Sequence, residues 1–578
     1  MEDIVTFEDV SWKYEETQDW VISQLNLRVK QGEFLLVTGP NGSGKTTLGT
    51  MLNALIPYNY RYGTLKGRIT VAGKDTAATS VAEFSQIVGM VFQEVEAQFL
   101  TLSVEDELVF GPENLGVSRE EIQRRLDWVL KLLKLEGYNE KSPFELSGGQ
   151  KQRVAIGAAL MTLPKILVLD EPTSDIDPLG KVEVLATIRD LRESLNMTII
   201  LVEHLTDDVA LLADRVLLLK DGRLILEGAP REFFGSVDTL KKNGVEPPQV
   251  SQVSFALRNK LSNAAIPLTV DEFVQLIAPK INLAKTSSKR QPTFDASTPE
   301  QSEGGQLIEL KDLWHTYPDG TVALKGVDLS IPRKGPMVAL LGQNGSGKTT
   351  LAKHLNGILK PTKGYVNVDG LDTRSANRKD LVQKVGYVFQ NPDHQIANNT
   401  VFKEVSYGLE NLGLSQDQIN ERVKNVLEFL DITSYANEQP FLLQKGIRQR
   451  TVIASILAMR PSVIVVDEPT TGQDAVNSRV IMEMLKGLHA QGYQIVLITH
   501  NMNIAAEYCG RTIVMSEGRI LADGPTRSVF SQAEILKRAY LQPPPVCRAS
   551  QDLSSKLQTD FMALSVSELE NVLENLIV

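Results

Sequence analysis

Apolar residues in this chain fall into two kinds of run. Short continuous runs, such as FLLVTG at 34–39, KILVLD at 165–170 and MTIILVEH at 197–204, are rich in β-formers and stop at glycine or polar turns. Continuous hydrophobicity, as opposed to alternation, is what strands buried on both faces of a parallel sheet require. Between these runs lie longer stretches with helical spacing, so the pattern predicts an α/β layer structure whose strands are mostly parallel. Near the end, ELENVLENL at 568–576 places its leucines along one side of a short amphipathic helix.

The pattern is written twice, and a repeat decides architecture before any motif does. Tyr14 and Tyr317 stand 303 positions apart, as do Lys45 and Lys348. Gln93 and Gln390, Ser147 and Gln444, and Asp170 and Asp467 are each 297 apart, and His204 and His500 are 296 apart. The drop from 303 to 297 places an insertion in the first copy, in IPYNYRYGTLKG, which is longer than its counterpart ILKPTKG. The repeat continues past the last strands: Pro247-Pro248-Gln249-Val250 matches Pro543-Pro544-Pro545-Val546, and LTVDEF at 268–273 matches LSVSEL at 564–569, both at 296. Each copy therefore carries a C-terminal helical appendix. The expected division is a first domain at 1–235 with its appendix at 236–279, a linker at 280–306, and a second domain at 307–531 with its appendix at 532–578. The linker sequence is polar and rich in Ser, Thr, Pro and Gly, the composition of a flexible tether.

Length and composition narrow the function. At 578 residues the chain holds several domains of ordinary size. Its 60 basic and 71 acidic residues give a net charge of −11, the wrong sign for a protein that grips nucleic acid by neutralising phosphates, so no nucleic-acid partner is expected. Cys509 and Cys547 are too few for a disulfide framework, which suits a reducing compartment. The N-terminus MEDIVTFEDV is acidic and lacks the apolar stretch of a secretory signal, and no run reaches the ~18 apolar residues of a membrane span. Action at a membrane would have to go through partners.

GPNGSGKTT at 39–47 and GQNGSGKTT at 342–350 both fit G-x-x-x-x-G-K-[ST] directly after an apolar strand. Gly39, Asn41, Gly42 and Gly44, and their counterparts Gly342, Asn344, Gly345 and Gly347, let backbone N–H groups curl round phosphates, aided by the following helix N-terminus. Lys45 and Lys348 would reach the β- and γ-phosphates of ATP, with Thr47 and Thr350 alongside, while Thr46 and Thr349 would bind Mg²⁺. ILVLDEP ends in Asp170-Glu171 and VIVVDEP in Asp467-Glu468, two carboxylates at a strand tip. The aspartate is suited to hold Mg²⁺ and the glutamate to polarise the attacking water. His204 and His500, each ending another apolar strand, are candidates to contact the γ-phosphate.

These residues resemble those of ATP-binding-cassette (ABC) ATPases over nearly the whole chain. FELSGGQKQR at 144–153 fits the family signature, and Ser147, Gly148, Gly149 and Gln150 are its phosphate-facing part. Gln93 and Gln390 fit the Q-loop glutamine that reaches the metal, Tyr14 and Tyr317 the aromatic that stacks on adenine, and 174–177 and 471–474 the D-loop. The resemblance implies two tandem P-loop NTPase domains, each with a RecA-like core, an antiparallel β subdomain, a helical signature subdomain and the small appendix.

Within that family, FQNPDHQIANNTVFKEVSYGLENLGL in copy two and FQEVEAQFLTLSVEDELVFGPENLGV in copy one resemble the ATPases of energy-coupling-factor (ECF) importers of vitamins, vitamin precursors and transition metals. This implies a peripheral position on the cytoplasmic side of the cell membrane, a transmembrane coupling subunit and a small membrane subunit that selects the cargo. Glu107 and Glu113, matched by Glu404 and Glu410, are candidate acidic contacts for the coupling subunit, with a solvated helix face as the plain alternative. Two other functions compete: a soluble double-cassette ATPase acting on ribosomes, disfavoured by the short Pro/Ser/Thr-rich linker and the chain's acidic balance, and a non-hydrolytic ATP-binding regulator, disfavoured by the survival of both Glu171 and Glu468.

FLLQKGIRQR at 441–450 is an altered signature: Gln444, Lys445 and Ile447 face Ser147, Gly148 and Gln150, and Gly446 is kept. In the family two cassettes close face to face, each ATP lying between one phosphate loop and the opposite signature. The resemblance therefore implies that ATP held by Lys348, Glu468 and His500 meets the intact signature and turns over. ATP held by Lys45, Glu171 and His204 meets the altered one and turns over slowly. The fusion of the copies favours pairing within one chain.

Overall fold

The computed structural model describes residues 2–15, 19–59, 62–174, 176–204, 206–261, 265–281, 305–559 and 561–577. The predicted tether falls mostly on 282–304, outside the described residues. Two compact units, Met1–Leu276 and Ile277–Val578, follow from the chain's internal contacts.

In the first unit the continuous apolar runs become the interior of a six-stranded sheet. Its order is Arg223–Gly228, Arg215–Lys220, Phe34–Thr38, Thr198–Val202, Ile166–Asp170 and Val88–Val91. The inner pairings are parallel, with Phe34 beside Ile199 and Ile166 beside Thr198. Every residue of the strands Phe34–Thr38, Ile166–Asp170 and Thr198–Val202 is buried, as strands covered on both faces demand. Only Arg223–Gly228 pairs antiparallel, at the edge, and it alternates exposed with half-buried positions.

A second sheet of four antiparallel strands, in the order Ile22–Lys30, Asp3–Lys13, Thr64–Val71 and Lys74–Asp75, covers one side of this core. Phe7, Trp12, Ile22 and Leu25 share its hydrophobic cluster with Leu35, Val37 and Leu48. On the other side, helices Val104–Asn114, Arg119–Leu132 and Gly148–Leu160 bury Leu108, Leu126, Val129 and Val154 in one cluster. Fully burying each such aliphatic side chain contributes about 1.5–3 kcal/mol relative to exposure.

The second unit repeats the plan, with a core sheet in the order Val385–Val388, Val463–Asp467, Gln494–Ile498, Val338–Leu341, Arg511–Ser516 and Arg519–Pro525. Its antiparallel sheet runs Val322–Pro332, Gln306–Thr316, Lys363–Val368 and Leu371–Asp372. The appendices are short helices, ending in Val270–Ile277 and Val566–Leu576. Each is tied back by a matched ion pair, Arg231 to Glu272 at 2.6 Å and Arg527 to Glu568 at 2.9 Å.

Candidate functional site

Each phosphate loop leaves the end of a core strand and enters the helix Lys45–Leu52 or Lys348–Leu355. Its backbone needs glycine where it brushes the neighbouring strand. A Cβ on Gly39, which has φ +152°, would lie 2.1 Å from the carbonyl oxygen of Leu219, and one on Gly342, also at φ +152°, would lie 2.3 Å from that of Met515. Both clashes are with backbone, so any side chain would displace the loop. The Lys45 ammonium donates to the carbonyls of Gly39 and Pro40 at 2.9 Å each, and Lys348 donates to those of Gly342 and Gln343 at 2.7 and 2.8 Å. The lysines thus lie along the concave side of loops whose glycines cap the helices in left-handed conformation, at φ 100° for Gly44 and 101° for Gly347.

The tyrosines stand over the same helices. Tyr14 and Thr47 share a hydroxyl hydrogen bond at 3.3 Å, and Tyr317 and Thr350 one at 3.0 Å. Beneath them the copies diverge: Tyr14 packs edge-on to Trp12, whereas Tyr317 packs edge-on to His315, itself 3.1 Å from His354.

Asp170 and Asp467 end their strands almost fully buried, and burial, the largest cause, raises both carboxyls above the usual range. Thr349 donates to Asp467 Oδ2 at 3.3 Å, and Thr46 hydrogen-bonds Asp170, so each exposed threonine hydroxyl shares a corner with a carboxylate. A hydroxyl and a carboxylate beside a loop built for phosphate form a hard oxygen donor set, the kind that Mg²⁺ accepts while retaining waters and phosphate oxygens.

The next residue turns sharply in both copies. Glu171 has φ 48° and Glu468 φ 46°, left-handed values that a non-glycine residue adopts only under local constraint. The constraint is a backbone hydrogen bond to the adjacent strand, from Glu171 N to Val202 O at 3.0 Å and from Glu468 N to Ile498 O at 2.9 Å. His500 Nδ1 is 2.8 Å from Glu468 Oε1 in a good hydrogen bond. His204 Nε2 lies 2.7 Å from Glu171 Oε1 but off the hydrogen-bonding direction. Burial pushes the Glu468 carboxyl up, but the His500 charge and hydrogen bond together with Lys348 outweigh it and hold the group below its ordinary range. A buried carboxylate kept ionised beside an imidazole can orient and polarise a water. Gln93 Nε2 donates to Glu171 Oε2 at 2.8 Å, while Gln390 is exposed.

The signatures differ as the sequence suggests, and the difference is structural. Ser147 caps the helix Gly148–Leu160 in a reciprocal capping box with Gln150, whose amide also donates to Tyr138 Oη at 3.0 Å. Gln444 occupies the cap of Lys445–Ala458 without any side-chain hydrogen bond, and Ile447, which replaces Gln150, is buried.

Two readings of acidic residues are corrected. Glu107 and Glu404 do not lie on a solvated helix face. Glu107 Oε2 accepts from the Leu100 and Thr101 amides and the Thr101 hydroxyl, each at 2.9 Å. Glu404 Oε2 accepts from the amides of Ala397 and Asn398 at 2.9 Å and from the Asn398 side chain at 3.0 Å. They fold the loop after the Q-loop; only Glu113 and Glu410 of the four are exposed. The motifs alone also missed Tyr387 and Glu203. Tyr387 Oη donates to Asp467 Oδ2 at 2.7 Å. Glu203, buried beside His204, accepts from the Thr173 hydroxyl at 2.5 Å. Both are positions where the copies differ, VGYVFQ against VGMVFQ and VEH against ITH, so the mismatches between repeats carried the signal.

Among the described residues no helix is long and apolar enough to cross a membrane. The family model for ABC transporters matches this chain twice, at residues 22–174 and 324–471. A protein of Caldanaerobacter subterraneus subsp. tengcongensis, provisionally named an ABC transporter ATP-binding protein, is 43% identical over 98% of this chain and 98% of its own length. A similarly named protein of Methanosarcina acetivorans is 41% identical over 99% of this chain and 94% of its own. Among solved structures, cbiO1 from Clostridium perfringens, described as part of the ABC transporter complex cbiONQ, is 35% identical, covers 40% of this chain and 94% of that one, and has a TM-score of 0.37. Two family matches in one polypeptide, each ending just past an Asp-Glu strand tip, make this chain a double-cassette member of the ABC transporter ATP-binding family, an ATPase.

Proposed function

We propose that this chain is the energy-coupling ATPase of a membrane importer of the ECF type, using Mg²⁺·ATP, with one fast and one slow nucleotide site. The reading of the site residues follows their roles in the family. Lys45, Thr46 and Asp170 hold one nucleotide and its metal, Lys348, Thr349 and Asp467 the other, and Glu171 and Glu468 activate water. Cassettes pair within the chain, each ATP being capped by the opposite signature.

One observation carries the inequality: the Ser147–Gln150 capping box has no counterpart at Gln444 and Ile447. A capped helix N-terminus with glycine behind it presents N–H groups and a favourable dipole to a γ-phosphate. Gln444 makes no side-chain cap hydrogen bond, and Ile447 directs an apolar side chain into the cassette. The loss of one oriented stabiliser of transition-state charge lowers rate by about 10² to 10³. ATP capped by Ser147, which the second cassette holds, therefore turns over.

Steady-state ATPase assays of Glu468→Gln and Glu171→Gln test this. The first should abolish most turnover and the second should spare most of it; equal losses would refute the inequality. The importer reading rests on the sequence segments after the two Q-loops. It predicts co-purification with a transmembrane coupling subunit and a small substrate-selecting membrane subunit at the cytoplasmic face. Recovery of the tagged chain from its native host with no integral membrane protein attached would count against it.

A further inference from the structure

The two cassettes also differ on the metal side of their nucleotide sites, and no motif marks that difference. In the second cassette, strand Val385–Val388 runs parallel to Val463–Asp467, with Tyr387 beside Val465. Tyr387 is 5% exposed and reaches along the sheet to place its hydroxyl 2.7 Å from Asp467 Oδ2. Thr349 donates to the same oxygen at 3.3 Å. The phenol is itself held in place: Gln395 bridges the carbonyl of Tyr387 at 3.2 Å and the amide of Phe389 at 3.1 Å, and the Phe389 ring packs against Tyr387 at 5.0 Å.

In the first cassette Met90 stands at this position. Its sulfur accepts from Asn53 Nδ2 at 3.1 Å and offers Asp170 no donor. Asp170 Oδ1 is left buried without a hydrogen-bond partner. The bracket around the strand is otherwise kept, Gln98 bridging Met90 and Phe92 as Gln395 bridges Tyr387 and Phe389. A buried carboxylate pinned by a phenol as well as a threonine has a fixed rotamer and directs its other oxygen, whereas Asp170, with Thr46 as its neighbour and no phenol, is less fixed before a cation binds.

We infer that Tyr387 is a positioning residue that sets the Asp467 carboxylate for a divalent cation, and that the second cassette alone has this device. The inference rests on the proposed Mg²⁺·ATP reading and deepens it: the nucleotide half-site expected to turn over is also the one whose metal ligand is oriented in advance. The phenol touches neither nucleotide nor water in this role. Its effect passes through Asp467, so it should appear in metal dependence and not in nucleotide affinity as such.

The test measures binding of a fluorescent ATP analogue to full-length protein carrying Lys45→Ala, which confines binding to the second cassette, with Mn²⁺ or with EDTA. Tyr387→Phe should weaken the Mn²⁺-dependent part roughly tenfold, the scale of a lost hydrogen bond to a charged group, and leave binding in EDTA unchanged. In ATPase assays the same variant should raise the Mg²⁺ concentration needed for half-maximal rate, with most of kcat recovered at saturating Mg²⁺. Tyr387→Met, which installs the residue of the first cassette, should behave alike. Met90→Tyr in a Lys348→Ala background should strengthen Mn²⁺-dependent binding at the first cassette. A Tyr387→Phe protein whose affinity falls equally with and without metal, or whose metal dependence is unchanged, overturns the inference while leaving the ATPase reading intact. A chain with intact phosphate loops that binds no nucleotide overturns both.

Discussion

Gly149→Ala should damage the first cassette, whereas Gly446→Ala, at the matching signature position, should not. Gly149 lies against Gly180 of the helix Pro178–Leu195, and a Cβ on it would fall 2.7 Å from the Gly180 Cα. Comfortable carbon–carbon contact needs about 3.5–4.0 Å, so two backbones would have to part by about 1 Å with no side chain free to swing aside. Overpacking of this kind costs about 1–3 kcal/mol, and the better helix propensity of alanine returns at most ~1 kcal/mol. The net loss of about 1–2 kcal/mol corresponds to a fall of roughly 2–8 °C in the melting of a cassette of this size. At Gly446 the added Cβ would meet side-chain atoms only, Asn477 Oδ1 at 3.4 Å and Cγ at 3.6 Å and Gln473 Oε1 at 3.7 Å, all ordinary contacts. Calorimetry of the full chain, with hydrogen exchange on peptides from 148–160 and 445–458 to assign the transitions, reads the contrast. Equal shifts for the two variants, or no shift for Gly149→Ala, would show that the Gly–Gly approach does not control the packing.

The other predictions concern single groups. Burial raises the Glu203 carboxyl above its ordinary value of 4.5, so the folded chain holds a proton that the unfolded chain gives up, and stability falls as pH rises past about 4.5. Glu203→Gln removes that loss: urea unfolding should show the variant gaining on the wild type toward pH 8 and converging with it near pH 4.5, and a pH-independent difference would contradict the burial account. Gln444→Ser restores a cap oxygen to Lys445–Ala458 and should stabilise the second cassette by about 0.5–2 kcal/mol in thermal melts. Glu404→Ala strands three donors on residues 397 and 398, and should cost about 1–3 kcal/mol and expose this loop to protease even in the isolated chain. Protection equal to wild type would return Glu404 to the role of a surface contact.

Much of this protein was legible as sequence because its chemistry is local. A phosphate loop is a run of nine residues whose glycines, lysine and threonines act through their own backbone and nearest neighbours, so GPNGSGKTT and GQNGSGKTT announce themselves. The buried strands show in their continuous hydrophobicity, and the repeat offsets align every motif of one copy with the other. The altered signature was visible for the same reason, since a cap and its box partner lie three residues apart. What the sequence could not supply was adjacency across elements. That Tyr387 meets Asp467 depends on strand Val385–Val388 lying beside Val463–Asp467, an order set by how helices cover the sheet. The contact between Gly149 and Gly180 requires two helices to pack at backbone distance. Glu107 and Glu404 read as surface charges because acidic residues on helices usually are; only the folded loop, turning its amides inward, made burial of each carboxylate affordable. The sequence thus determined which groups exist and how they are spaced along the chain, and the tertiary structure alone decided which distant groups share a hydrogen bond, because that depends on packing between segments whose order no local pattern encodes.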